Sequence, residues 1–112
     1  MKNWNEVKDC IMPNCNCEYD KKEKIIFIRA TNSKETRKQT ILIQNIEQYV
    51  CFSSKRGGIG KNQIKEALND LAGIEYGRMI CDLEGNCFIQ YIDEIQYLTE
   101  QKIQTIIKQV LG

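Results

Sequence analysis

Two stretches decide the fold class of this chain: Leu42-Ile43-Gln44-Asn45-Ile46-Glu47-Gln48 and Phe88-Ile89-Gln90-Tyr91-Ile92-Asp93-Glu94. They share an apolar pattern and the sequence Ile-Gln-x-Ile at the same register. Their β-branched and aromatic residues favour strands. Each stretch precedes a segment with helical apolar spacing, so the chain divides into two ββα units, residues 24–73 and 74–112, after an N-terminal cysteine-containing segment, residues 1–23. Internal duplication would explain the match, and so would chance in a chain rich in Ile and Gln.

Two amphipathic helices are predicted. Residues 62–72 place apolar side chains at positions i, i+3, i+4, i+7 and i+8, which is the spacing of one helix face, and Gly73 follows as a helix stop. Residues 99–111 repeat this spacing, with Thr99 as the N-cap. Each helix has one apolar face to bury, and neither is expected to be stable without a sheet beneath it.

Four strands are predicted, and they lie in pairs before the two helices: 24–30, 40–52, 74–82 and 87–97. The second pair is joined at Leu83-Glu84-Gly85-Asn86, where Gly85 and Asn86 tolerate the positive φ of a tight turn. The prediction is therefore an α+β fold, an antiparallel β-sheet of about four strands with two helices packed on one face, in the order ββαββα.

Length and composition predict one domain that spans residues 1–112. The chain is 42% hydrophobic and 28% charged, as in ordinary globular proteins. No stretch approaches the roughly 18 apolar residues of a membrane helix, and the first residues lack the apolar run of a signal peptide. We expect a cytoplasmic protein, in which the six cysteines stay reduced or bind a metal rather than form disulfides.

The absence of histidine argues against an enzyme. Histidine is the usual base, proton shuttle and metal ligand of small active sites, and a nucleophilic cysteine without one is a poor catalyst. The carboxylate pairs Asp93-Glu94 and Asp82/Glu84 lie at a strand end and a hairpin, where solvated charges are normal. We therefore predict no catalytic residues and no cofactor, and a small enzyme is the last of the alternatives.

Three cysteines, Cys10, Cys15 and Cys17, fall within eight residues. Pro13-Asn14 favours a turn that would bring Cys10 back toward the other two, so three thiolates could hold zinc or iron with a fourth ligand from elsewhere in the chain. The spacing matches neither a paired CxxC zinc site nor a plant-type iron–sulfur motif. The alternatives are reduced cysteines packed as small hydrophobic side chains, or redox chemistry.

A basic, glycine-rich segment, residues 53–61, is expected to form a loop between the second strand and the first helix. Its glycines let backbone amides approach an anion, and the predicted helix N-terminus adds a positive dipole end. The P-loop pattern is not met, because Lys55 stands at its first glycine position and Asn62 at its Ser/Thr position. The segment reads either as a generic anion-binding loop or as a soluble glycine turn. The predicted ligand-binding residues are Lys55, Arg56, Gly57, Gly58, Gly60, Lys61, Arg37 and Lys38.

The charge of the chain is divided between its two parts. Residues 1–65 carry 13 Lys and Arg against 7 Asp and Glu, a charge of +6, and residues 66–112 carry 3 against 8, a charge of −5. Such a division forms a basic face only if the two parts stay separate in space.

Size, charge and the lack of catalytic residues together predict a small non-enzymatic regulatory or inhibitory binding protein. Its expected partner is anionic: a nucleotide, a nucleic acid or an acidic protein surface. Phage-encoded antagonists of bacterial defence, which act in the host cytoplasm, are of this kind, and a homodimer is also compatible with the sequence. A structural zinc or iron module built on the cysteine cluster is the alternative, and no membrane association is expected.

Overall fold

The computed structural model describes residues 1–31, 38–58, 75–81, 83–84 and 86–111. Within these residues the chain forms two α-helices, two 3-10 turns and six strands. In chain order they are α1 (Trp4–Ile11), a 3-10 turn (Met12–Asn14), β1 (Cys17–Asp20), β2 (Ile25–Thr31), β3 (Lys38–Ile46), β4 (Tyr49–Gly58), β5 (Arg78–Cys81), β6 (Asn86–Glu94), a second 3-10 turn (Ile95–Tyr97) and α2 (Glu100–Leu111).

The six described strands form one sheet in the order β1-β2-β3-β4-β6-β5. Every neighbouring pair is antiparallel. The two edge strands, β1 and β5, have only four residues each, whereas β3, β4 and β6 have nine or ten. Strand β2, with seven residues, and β6, with nine, therefore extend beyond the edge strands β1 and β5 beside them.

Local sequence explains both ends of the described fold. Helix α1 begins after Asn3, whose side chain accepts a hydrogen bond from the Glu6 amide at 2.9 Å, while the Glu6 carboxylate accepts one from the Lys2 amide at 2.6 Å. This reciprocal capping satisfies two amides at the start of the helix. Helix α2 begins after Thr99, whose hydroxyl accepts from the Lys102 amide at 3.1 Å, which confirms the predicted N-cap.

The core lies between one face of the sheet and both described helices. Helix α1 buries Trp4, Val7 and Ile11, and α2 buries Ile103, Ile106 and Val110. The strands contribute alternate residues, all on the same face, because side chains alternate along a strand; they are Ile26, Ile28, Ile41, Ile43, Val50, Phe52 and Ile89. No described helix is long and apolar enough to cross a membrane.

The fold class is α+β, but the predicted sheet of about four strands in the order ββαββα is wrong. The described sheet has six strands. The predicted strand 40–52 is two strands of a hairpin that turns at Glu47 and Gln48, and the N-terminal segment forms α1 and β1. The proposed duplication fails for the same reason: β3 leads into β4, whereas β6 leads toward α2.

Two further predictions concern the first helix and the second hairpin. The predicted helix at 62–72 lies outside the described residues. The hairpin joining β5 and β6 is confirmed, with Leu83 and Glu84 in its turn. Its register places Cys81 opposite Cys87, and these two form a disulfide with 4.1 Å between their Cα atoms. The expectation of reduced cysteines is therefore wrong for this pair, because the pairing of the strands brings the two thiols together.

Candidate functional site

The sheet face opposite the two described helices carries apolar side chains from four neighbouring strands and β5, interspersed with Gln44, Ser53 and Gln90. We call it the open face. Strand register defines it: Ile25 of β2, Gln44 of β3, Cys51 of β4 and Ile92 of β6 lie in one row across the sheet. The next row contains Phe27, Leu42, Ser53 and Gln90, and the rows that flank these two contribute Ile46, Tyr49, Phe88 and Ile80.

Several side chains of the open face are exposed to an unusual degree for apolar residues in a sheet. Ile46 is 53% exposed, Ile92 is 49%, Ile80 is 39% and Tyr49 is 38%. Phe27, Leu42 and Phe88 are half-buried and lie outside the core cluster. An exposed apolar area of this kind is characteristic of an interaction surface.

The open face has a basic end. Lys55 of β4 and Arg29 of β2 both point to this face and both are exposed. Arg29 pairs with Thr40 of β3, and the β3–β4 register continues from Thr40 toward Lys55. Two strand spacings separate the two cations, about 10 Å. Both belong to the basic part of the sequence, residues 1–65, and Lys55 is one of the predicted ligand-binding residues.

The other predicted ligand-binding residues are only partly described. Strand β4 continues through Gly58, so residues 53–58 are strand rather than loop. A bulge lies between Lys55 and Gly57, which leaves Arg56 as the extra residue, and Gly57 and Gly58 pair with Cys87 and Asn86 of β6. Lys38 is the first residue of β3. Gly60, Lys61 and Arg37 lie outside the described residues.

The predicted metal-binding cysteines lie together but are packed against the core. Cys10 is on α1, Cys15 follows the 3-10 turn, and Cys17 is the first residue of β1. All three are half-buried and contact the core cluster. Burial raises the pKa of the Cys10 and Cys15 thiols, which disfavours the thiolate that a metal requires. Within the described part of the chain no three His, Cys, Asp or Glu side chains are arranged to hold a metal ion. Zinc or iron binding stays a prediction.

The other free thiol is on the open face. Cys51 accepts a hydrogen bond from the Gln90 side-chain amide, with 3.4 Å between nitrogen and sulfur. Burial raises its pKa despite this hydrogen bond. Burial therefore favours the neutral thiol of Cys51, which lies between Gln44 and Ile92 in its row.

A network at the end of β6 joins the sheet to α2. Lys102 forms an ion pair with Asp93 at 2.5 Å, and the Tyr91 hydroxyl donates to the same carboxylate oxygen at 2.9 Å. Burial acts to raise the pKa of the Asp93 carboxyl, but hydrogen bonds from Lys102, Tyr91 and the Glu94 amide outweigh it and hold that pKa below its usual value. The hydrogen bond to Asp93 raises the pKa of Lys102.

The sequence analysis missed the open face and helix α1, although both have signals. Ile25-Ile26-Phe27-Ile28 is apolar without alternation, which is typical of strands with two apolar faces. The described helices cover only one of these faces. For α1 the signal is Asn3 followed three residues later by Glu6, with Trp4, Val7 and Ile11 at helical spacing.

No protein-family model and no curated protein sequence matches this chain. Among solved structures, it is similar to a chain in the structure of the heterodimeric complex ExoU-SpcU from the type III secretion system of Pseudomonas aeruginosa. The TM-score is 0.55 and the sequence identity 9%, over 75% of this chain and 73% of that chain. At this identity the likeness shows a shared fold.

Proposed function

We propose that this protein is a small non-enzymatic binding protein that holds a segment of a partner protein on its open face. The observation that carries the proposal is the set of exposed apolar side chains on a face that no described helix covers. Apolar residues exposed side by side cost free energy in water, and a partner's apolar side chains would relieve that cost.

The two cations at the basic end of the open face, Arg29 and Lys55, favour an acidic residue at the matching point of the partner segment. Arg29 and Lys55 are exposed at one end of the apolar rows, so a segment that covers the apolar rows and carries Asp or Glu at that end would be complementary. A free nucleotide would use the cations but leave the apolar area uncovered. The apolar area is therefore our reason for choosing a protein segment as the anionic partner.

Two observations support a role without catalysis. The chain has no histidine. The thiols of Cys10, Cys15 and Cys51 have raised pKa values because they are buried, so they are poor nucleophiles at neutral pH. Holding a partner's apolar segment would suit either a chaperone for that partner or an inhibitor of it.

The solved structure of similar fold gives modest support. It is the structure of a heterodimeric complex, so a chain of similar fold is found there together with a second protein. At 9% identity this likeness says nothing about which residues would make the contact. In the proposal, the residues of the open face make the contact with the partner.

A quantitative capture experiment tests the proposal. Affinity-tagged full-length protein is expressed in its natural host, and captured proteins are quantified for the wild type and for an Ile46→Glu/Ile92→Glu variant. Both substitutions place a charge among exposed apolar side chains of the open face. We expect the proteins enriched by the wild type to fall at least tenfold in the variant. An Arg29→Ala/Lys55→Ala variant should lose part of the binding, and the remainder should depend less on salt.

The matched control is Leu83→Glu/Tyr97→Glu, which changes two exposed apolar residues outside the open face, in the β5–β6 turn and the second 3-10 turn. It should capture the same proteins as the wild type. Circular dichroism and thermal unfolding verify that every variant is folded. Equal capture by the open-face variant and the wild type would contradict the proposal, as would the absence of any protein enriched by the wild type over the tag alone.

A further inference from the structure

The edge of the sheet beside Ile92 has an open notch. Strand β5 pairs with β6 only as far as Arg78 opposite Gln90. Continuing this register would bring Tyr76 opposite Ile92, but the described chain leaves the sheet at Gly77, whose φ is 124°. A cavity of about 290 Å³ lies at this point, lined by Glu75, Gly77, Arg78, Gln90, Tyr91 and Ile92.

Tyr76 is held away from the strand edge by α2 and Tyr91. Its amide donates to the Gln109 side-chain oxygen at 2.6 Å. Its ring lies 5.1 Å from the ring of Tyr91, and the Lys102 ammonium lies 5.6 Å from the Tyr76 ring centre. These contacts engage both the backbone and the side chain of Tyr76 and hold it away from Ile92.

The backbone of Ile92 points into the notch. In an antiparallel sheet the amide and carbonyl of successive residues face opposite sides of the strand. The Ile95 amide donates to the Gln48 carbonyl at 2.9 Å, so Ile95 and Asp93 face β4, and Ile92 and Glu94 face outward. The Glu94 amide agrees, since it donates to the Asp93 side chain at 2.9 Å rather than to β4.

The disulfide at the other end of β6 independently shows which residues direct their backbone amide and carbonyl toward β5. Cys81 and Cys87 are 4.1 Å apart at Cα, the short separation of a non-hydrogen-bonded pair. Counting from Cys87, residues 88 and 90 face β5 and residue 92 faces the edge beyond it. No backbone hydrogen bond joins Ile92 to the described residues 75–77. Within the described part of the chain, the amide and carbonyl of Ile92 are therefore available to another strand.

We propose that the notch receives the backbone of the partner segment, which pairs as an added β-strand with the amide and carbonyl of Ile92. This inference rests on the proposed function and says where the segment is anchored. The added strand would continue the sheet beyond β6, and its side chains on the open face would lie beside Ile92. Binding by strand addition takes its affinity from backbone hydrogen bonds and its specificity from alternate side chains.

The charges around the notch specify the residue types of the added strand. Glu75 lines the notch, Glu94 follows two residues after Ile92, and Arg78 is the positive residue of the lining. A Lys or Arg in the added strand would balance this excess of carboxylates. A segment of another protein with alternating apolar residues and a Lys or Arg fits these charges.

The experiment uses a random 12-residue peptide library displayed on phage and selected against the full-length chain. Selected peptides are synthesised with a fluorescent label, and binding is measured by anisotropy. We expect sequences with alternating apolar residues and a Lys or Arg in the part that pairs at the notch; the acidic residue expected near Arg29 and Lys55 belongs to the part of the partner segment that lies across the open face. Amide hydrogen exchange followed by NMR should slow at least tenfold at Ile92 when peptide binds, while exchange at residues that face β4 stays nearly unchanged.

Two variants isolate the backbone contribution. Ile92→Pro removes the amide that faces the notch and no hydrogen bond to β4, and proline is tolerated at such edge positions. Ile92→Ala removes the side chain but keeps the amide. We expect the Pro variant to bind selected peptides at least tenfold more weakly than the Ala variant. The exchange measurement on the wild type stands even if the Pro variant does not fold.

Three results would overturn strand addition: no selectable peptide, equal affinity of the two variants, or peptide binding without slower exchange at Ile92. These results are distinguishable from failure of the proposed function. Peptides that shift the NMR signals of Phe27 and Leu42 but do not slow exchange at the Ile92 amide would support binding at the open face and reject binding at the notch. Partner capture unaffected by the Ile46→Glu/Ile92→Glu substitutions would instead reject the open face itself.

Discussion

Two adjacent serines show how much a single residue's environment depends on the face it occupies. Ser54 lies on the core face of β4 and is fully buried, and its hydroxyl has no hydrogen-bond partner within the described part of the chain. Ser53, one residue earlier, lies on the open face and is half-buried. A buried hydroxyl that makes no hydrogen bond costs stability, so Ser54 is a weak point of the core.

Replacing Ser54 by alanine should therefore stabilise the protein. Removal of the unsatisfied hydroxyl should raise the free energy of unfolding by about 1 kcal/mol, measured by urea unfolding of the full chain. Ser53→Ala is the matched control and should change stability by less than about 0.5 kcal/mol. A loss of stability in Ser54→Ala would show that its hydroxyl makes a favourable contact.

At the scale of elements, the turn between β3 and β4 is the feature that the sequence did not reveal. Glu47 and Gln48 lack the Gly, Pro, Asn or Asp that normally marks a two-residue hairpin, so residues 40–52 read as one strand. The turn is instead supported by the Asn45 side-chain amide, which donates to the Glu47 and Tyr49 carbonyls at 2.8 and 3.1 Å. This support is local, but it comes from Asn45, outside the two turn residues, so the usual two-residue hairpin pattern does not reveal it.

The conformation of that turn gives a second prediction. Glu47 has a φ of 54°, in the left-handed region where a side chain is unfavourable and glycine is not. Glu47→Gly should raise the free energy of unfolding by about 0.5–1 kcal/mol. Gln48→Gly, at the neighbouring position without a positive φ, should lower it, because glycine adds unfolded-state entropy. Chemical denaturation of both variants measures the difference, and equal effects would contradict the assignment.

At the scale of the whole molecule, the predictable part was the helix–sheet core and the unpredictable part was sheet size. Thr99 and the apolar spacing after it located α2 because capping and periodicity are local properties. The count of strands was too low because 40–52 reads as one strand and because β1, with only four residues, carries few side chains that report its pairing. Lys55 is exposed, and its role as a ligand-binding residue stays a prediction. The apolar side chains beside it depend on which face the helices occupy, which a local pattern does not show.

The ion pair of Asp93 with Lys102 joins β6 to α2 and should make stability depend on pH. The folded-state pKa of Asp93 is below its usual value, so its stabilising contribution is present above the unfolded pKa of about 3.9 and is lost as pH falls through the folded value. Asp93→Asn should lower the free energy of unfolding by about 1 kcal/mol at pH 7. This difference from the wild type should shrink toward zero between about pH 5 and pH 2.

Glu18→Gln, at an exposed carboxylate of β1, is the control for the loss of a negative charge. Its free energy of unfolding should differ from that of the wild type by less than about 0.5 kcal/mol at every pH measured. A constant effect of Asp93→Asn from pH 7 to pH 2 would mean that the carboxylate does not stabilise the folded protein through its charge. Unfolding curves in urea at pH 7, 5, 3.5 and 2 provide the measurement.

The covalent link between Cys81 and Cys87 has a consequence for the hairpin tip that it encloses. Leu83 projects fully into solvent there, where proteases cut most readily. Because the bridge spans the ladder on both sides of that tip, hydrolysis of the peptide bond after Leu83 would leave the two pieces tethered. They would come apart only in the presence of a reductant.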